Sequence, residues 1–157
     1  MYNTHLTAIA PTRSNSIISG CVSPGIEPIT ANIYRDKTAK GSFTRKNPIL
    51  EKVLENYNKN TDKVWKSIAQ ENGSVQHLKF LDEKTKAVFK TAYELDQKAL
   101  VRQASQRQRF VCQAQSLNLF FPTEVDAKYY SDTHLLAWEL GVKTCLLYTS
   151  PSPRDRG

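Results

Sequence analysis

Long hydrophobic runs are missing from this chain: none approaches the ~18 residues that a membrane-crossing helix requires. The N-terminus also lacks a basic region followed by an apolar core, so no secretory signal is expected. Cysteine is scarce. Cys21, Cys112 and Cys145 are an odd number with no CxxC spacing, which argues against a disulfide framework and a zinc site. Cys21 falls in a turn-rich loop, and Cys112 in an apolar run where a small buried thiol is the ordinary expectation. His5, His77 and His134 are isolated and make no metal-ligand pattern. These absences lead to the expectation of a soluble, cytoplasmic chain with no metal and no membrane partner.

What is present fits one modest globular domain of 157 residues, 39% hydrophobic and 24% charged. The net charge is +7, but the positive residues are dispersed. The densest stretch, Arg102–Arg109, lies on a helix whose other face is apolar. A solvated helix face accounts for it better than an anion-binding surface does.

Periodicity and punctuation give an order of elements. Leu6–Ala10 reads as a short buried strand, followed by a turn and a helix with Pro11 at its start. Two short runs around the polar turn Asp36–Gly41 suggest a hairpin between Ile29 and Asn47. Asn47 then caps a helix with Pro48 at its first position, carrying Ile49, Val53, Leu54 and Tyr57 at helical spacing. Thr61 caps a second helix with Val64, Trp65 and Ile68 on one face, stopped by Asn72-Gly73. Asp82 is expected to cap a long helix, straight or with a bend, reaching about Gln106, with Val88, Ala92, Leu95 and Ala99 as its core stripe. Ser116–Phe121 is the best later strand. Thr123–Asp126 has the form of a capping box, and the helix after it carries Leu135, Leu136 and Trp138 to a stop at Gly141. Val142–Thr144 begins a final short strand. Strands alternating with helices predict an α/β architecture, but several apolar faces lack partners within the chain.

Ala10–Pro28, APTRSNSIISGCVSPGIEP, organises the rest. Small and polar residues follow the first apolar run, and Gly20, Pro24 and Gly25 break the chain after Ile17-Ile18. The amides at such a helix start, with the hydroxyls of Thr12, Ser14 and Ser16, suit either a plain helix cap or a phosphate. Composition alone favours the plain cap.

The wording of the stretch adds to this. AIAPTRSNSIISG followed by PGIEP resembles the phosphate-binding loop of the large (α) subunit of class I ribonucleotide reductase. VWKSIAQENGSVQHLKFLDEKTKAVFKTAYELDQ, QAQSLNLFFP and HLLAWELGVKT match the C-terminal part of that subunit, in its order. The resemblance covers roughly Asn3 to Thr144. It implies the helix-rich closing part of a ten-stranded α/β barrel, incomplete in this chain, over residues 1–144. Cys145–Asp155 resembles a translated sequencing-library adapter, and residues 145–157 are expected to be a non-native tail. The first residues, Met1-Tyr2, are likewise expected to be an artificial start.

The resemblance further implies reduction of ribonucleoside diphosphates to deoxyribonucleoside diphosphates by a thiyl-radical mechanism. None of the catalytic cysteines, nor the Asn/Glu acid–base set, is in this stretch, so the isolated chain is expected to be inactive. What remains is the substrate phosphate clamp, mapped by resemblance to Pro11, Thr12, Arg13, Ser14, Asn15 and Ser16. Arg13 departs from the small or acidic residue of some relatives; pairing with phosphate and pointing to solvent both remain open. In that family GVKT is followed within a few residues by two adjacent tyrosines that pass the radical; Tyr129-Tyr130 lies in the helix before GVKT and is not assigned that role. Implied partners are the substrate, a small metal-containing subunit that supplies the radical, thioredoxin or glutaredoxin as reductant, and a second large subunit. No cofactor is expected on the fragment itself, and no nucleic acid. The alternative is a freestanding basic helical protein that binds nucleic acid or another acidic partner.

Overall fold

A computed structural model describes residues 4–20, 25–38 and 41–149. The chain divides into two compact units, one built from Met1–Glu27 with Leu95–Gly157 and the other from Pro28–Glu94. Four strands are described, in two two-stranded sheets. The architecture is α/β, and among the described residues the strands are too few to show a ten-stranded barrel.

In the unit Pro28–Glu94, strand β1 (Ile33–Thr38) pairs antiparallel with β2 (Gly41–Lys46), Ile33 opposite Lys46 and Thr38 opposite Gly41. The expected hairpin is present with longer strands. Helix α2 (Pro48–Asn56) starts as its sequence predicts: Pro48 sits in the first turn, and the Asn47 side chain accepts from the Ile49 and Leu50 amides. Thr61 caps α3 (Asp62–Gln70) by accepting from Val64 N–H. Leu50 and Leu54 from α2 meet Trp65 and Ile68 from α3, and Val75, Leu78, Leu81 and Phe89 complete the core. Ile49, by contrast, is exposed.

Both helices close in one way. Asn58 and Asn72 take left-handed φ of 53°, and the next residue donates back to the last turn, Lys59 N–H to Leu54 O and Gly73 N–H to Ile68 O, each 2.8 Å. Asparagine tolerates this conformation better than most residues. Gly73 is required for a second reason: a Cβ there would stand 2.5 Å from Ala31 Cβ and 2.9 Å from Asn32 N.

The long helix expected from Asp82 to Gln106 is three elements. Asp82 caps only α4 (Glu83–Val88), a 3-10 turn covers Ala92–Glu94, and Asp96 caps a separate α5 (Gln97–Gln108). Val88 is 74% exposed, so the 4-3-4 spacing of apolar residues did not mark a continuous buried face. Hydrogen bonds outside the helix turn the chain instead. Ala92 N–H donates to Ile29 O at 2.8 Å, and the Glu94 carboxylate accepts from Thr91 N–H at 2.7 Å.

In the other unit, β3 (Asn118–Phe121) and β4 (Leu146–Thr149) pair in parallel, Asn118 opposite Leu146, joined through α6 (Ala127–Glu139). This is a β-α-β crossover, the unit from which parallel sheets are made. Val101, Ala104, Leu117, Leu119, Phe121 and Ala137 form its core. Asp126 caps α6 by accepting from the Lys128 and Tyr129 amides, so Thr123 is not the cap. The helix buries Thr133 and Ala137, whereas Leu135 is exposed and Trp138 is 77% exposed. Gly141 (φ 71°) lets Val142 N–H close on Ala137 O, so the last strand starts at Leu146 rather than Val142. That strand lies within residues 145–157, of which 150–157 are outside the described residues. Leu6–Ala10 is not a buried strand: its one bridge joins Ile9 to Gln115 in parallel, and Leu6 is exposed.

Asn32 ties the Pro28–Glu94 unit together. Fully buried, its Nδ2 donates to Gly73 O at 3.0 Å and Phe89 O at 2.8 Å, and its Oδ1 accepts from Asn47 Nδ2 at 2.9 Å. Asn32→Asp keeps the shape but turns a carboxylate oxygen on two carbonyls. It is expected to lower the unfolding free energy by about 3 kcal/mol. Urea denaturation reads this directly, and an unchanged midpoint would show that these bonds do not organise the unit.

Candidate functional site

The residues before Pro11 are held by a short ladder against 113–116. Gln113 N–H donates to Thr7 O at 3.0 Å, Ile9 N–H to Ala114 O at 3.3 Å, and Ser116 N–H to Ile9 O at 2.7 Å. The other side of this ladder is fixed by buried Gln115. Its Nε2 donates to Ala104 O at 2.8 Å and to Gln108 Oε1 at 3.2 Å, tying the ladder to α5.

The chain then leaves through exposed Pro11 into helix α1, Arg13–Ile18. The helix starts two residues later than Pro11, because its first bond runs from Ser16 N–H to Thr12 O (2.8 Å), which makes Thr12 the cap. The Thr12 side chain makes no capping bond. Helix geometry leaves the amides of Arg13, Ser14 and Asn15 without intrahelical acceptors. Thr12 and Asn15 are exposed and Ser16 is buried; the side chains of Arg13 and Ser14, and residue Cys21, lie outside the described residues. The predicted residues Pro11–Ser16 are therefore contiguous around one helix start.

Downstream, buried Glu27 anchors the far end of the stretch. Its Oε1 accepts from Asn118 N–H at 2.9 Å and Asn118 Nδ2 at 2.6 Å, at the beginning of β3. A Cβ on Gly25 would fall against Glu27 Oε2. Glu27 and Gln115 were not sequence candidates. Only the position of Glu27 within PGIEP hinted at a role, since its partner is 91 residues away.

Cys112 departs from expectation. It is exposed rather than buried, because its thiol serves the ladder instead of a core. The amides of Leu6 and Thr7 both point at Sγ from 3.0 Å, and the Thr7 hydroxyl lies 3.4 Å away. Hydrogen bonding from the Thr7 side chain, then from the Thr7 and Leu6 amides, lowers the thiol from 9.0 to about 7. Cys145 moves the opposite way, raised by burial. Among the described residues, no three His, Cys, Asp or Glu side chains gather into a group that could hold a metal ion. No described helix is long and apolar enough to cross a membrane.

A family model described as the barrel domain of ribonucleotide reductase matches residues 1–148. A putative ribonucleoside-diphosphate reductase large subunit from Frog virus 3 is 45% identical over 141 residues, covering 90% of this chain and 25% of that protein. The large subunit of Invertebrate iridescent virus 6 is 43% identical over 152 residues, covering 94% and 16%. Among solved structures, the Actinobacillus ureae class Id ribonucleotide reductase alpha subunit superposes with a TM-score of 0.83 at 40% identity. That match covers 96% of this chain and 27% of that one. The chain belongs to the ribonucleotide reductase barrel-domain family. It spans 16–25% of the length of these two viral relatives. A freestanding nucleic-acid-binding protein finds no support in these matches.

Because the fold lowers the Cys112 pKa, the thiolate contacts stabilise the ladder above about pH 7, increasingly so towards the ordinary thiol value, and are lost below it. Alkylation of Cys112, followed by peptide mass spectrometry, is expected to show a midpoint near pH 7, well below that of Cys145. Thr7→Val should move the Cys112 midpoint upward. A wild-type midpoint at the value of a free thiol would contradict the amide-directed geometry.

Proposed function

We propose that this chain is part of a ribonucleoside-diphosphate reductase large subunit and that Pro11–Ser16 holds the substrate's diphosphate. The supporting observation is the start of α1. Its first-turn amides lie at an exposed turn whose lead-in is laddered to 113–116 and whose continuation is pinned by Glu27. Amides aligned at a helix start favour an anion through their partial positive charge and their free donors. Fixing the diphosphate fixes the ribose, which is the orientational share of catalysis.

The rest of the reading concerns the whole enzyme. Reduction at the ribose uses cysteines outside this chain, within a ten-stranded barrel to which these elements contribute. The intact large subunit works as a homodimer in the cytoplasm. It receives its radical from a small metal-containing subunit and is re-reduced by thioredoxin or glutaredoxin. This chain's own residues bind and orient the substrate.

Proline at Ser14 or Asn15 deletes one first-turn amide that the helix does not itself use. In the full-length subunit either change is expected to raise the dissociation constant for the diphosphate substrate about tenfold, the value of one charge-assisted hydrogen bond. Affinity for the unphosphorylated nucleoside should stay unchanged. Diphosphate binding equal to that of the parent would remove the phosphate role from this loop.

A further inference from the structure

The sequence contains a single Asn–Gly pair, Asn72-Gly73. In such a pair the glycine nitrogen can reach the asparagine side-chain carbonyl, because no side chain on the following residue stands in the way. Asn72 is exposed with φ 53°, whereas Gly73 is buried with φ 84°. The fold restrains the nucleophile on three sides. Gly73 N–H donates to Ile68 O at 2.8 Å, its carbonyl accepts from Asn32 N–H at 3.2 Å and Asn32 Nδ2 at 3.0 Å, and Ala31 packs against its Cα. Asn58 supplies an internal comparison. It shares the φ of 53°, the exposure and the closing bond, but is followed by Lys59, whose side chain hinders attack.

We propose that Asn72-Gly73 is a deamidation site held closed by the fold, so that its conversion rate reports how much of the time the turn after α3 is open. In the step, Gly73 N bonds to Asn72 Cγ while its proton passes to hydroxide or a buffer base. The Cγ–Nδ2 bond breaks, and ammonia leaves after taking a proton from water. Water then opens the five-membered ring at either carbonyl, giving aspartate or isoaspartate, with no change in oxidation state. Isoaspartate carries one extra main-chain carbon between α3 and the Gly73 carbonyl. The bond from Gly73 to Ile68 and those from Asn32 then lose their common register, so the turn does not close again in its original form.

The test incubates the full-length subunit that contains this chain at mildly alkaline pH in 18O-labelled water, folded and in concentrated urea, then digests it with trypsin. Asn72 is the only asparagine in the peptide Ser67–Lys79. Label is expected to enter this peptide about tenfold or more slowly in the folded chain than in the unfolded one, since reaction waits on local opening. Asn32→Asp, confirmed as folded by circular dichroism, should bring the rate towards the unfolded value. Where that variant does not fold, the wild type in urea below its midpoint replaces it. A rate that climbs before global unfolding supports the local closure, and a rate that follows only the global transition overturns it. Equal rates in folded and unfolded chains, or no conversion at Asn72 when unfolded, also overturn the proposal.

Discussion

Buried backbone that no sheet pairs is the constraint on which both units depend. The two sheets have two strands each, so much of the buried chain must find hydrogen-bond partners elsewhere. Side-chain amides supply them. Asn32 joins the segment before the hairpin to Gly73, Phe89 and Asn47. Gln97 donates to Leu95 O at 2.8 Å and accepts from Phe120 N–H at 2.9 Å, linking the start of α5 to β3. Gln108 donates to both Val111 O and Gln113 O. A carboxamide can do this because it carries donors and an acceptor on one short arm. An apolar side chain of the same size would leave the carbonyls it faces unsatisfied, at a cost of about 1–3 kcal/mol each.

The candidate loop inherits its position from this arrangement. Gln115 fixes the segment against which Thr7 and Ile9 are laddered, and Glu27 fixes the far end against Asn118. Both described ends of the stretch are thus held by side chains of distant segments. Cys112 belongs to the same set of contacts. Its thiol accepts amides that would otherwise face water at the exposed end of the ladder, and its lowered pKa follows from that placement.

What the sequence made legible was local. Asn47-Pro48, Thr61, Asn72-Gly73 and Gly141 each mark an element end through bonds within a few residues, and each end lies where the pattern placed it. What failed was set by distant partners. The break after Val88 depends on Ile29, which no window around residue 88 contains. The outward turn of Leu135 and Trp138 reflects which face of α6 meets α5 and β3, a choice periodicity does not make. Thr123 satisfied the spacing of a capping box, yet Asp126, three residues on, accepts the amides. At the loop, residues Pro11–Ser16 were legible as a string, but the anchors Gln115 and Glu27 were not, because their partners lie on other elements.

The chain's +7 charge and its candidate anion site are separate matters. Arg102 and Arg109 of the densest basic stretch are exposed at α5, where hydration dissipates their field. The donors proposed at α1 are backbone amides, which have no side-chain rotamers to freeze and point where the helix start directs them. A site of the proposed kind would gain less from long-range attraction than a lysine cluster does, but would hold a phosphate in one orientation. Its accuracy therefore rests on the ladder at Thr7 and Ile9 and on the buried amide of Gln115 behind it. A change at Gln115 would touch no phosphate and would still disturb the backing of the proposed phosphate loop.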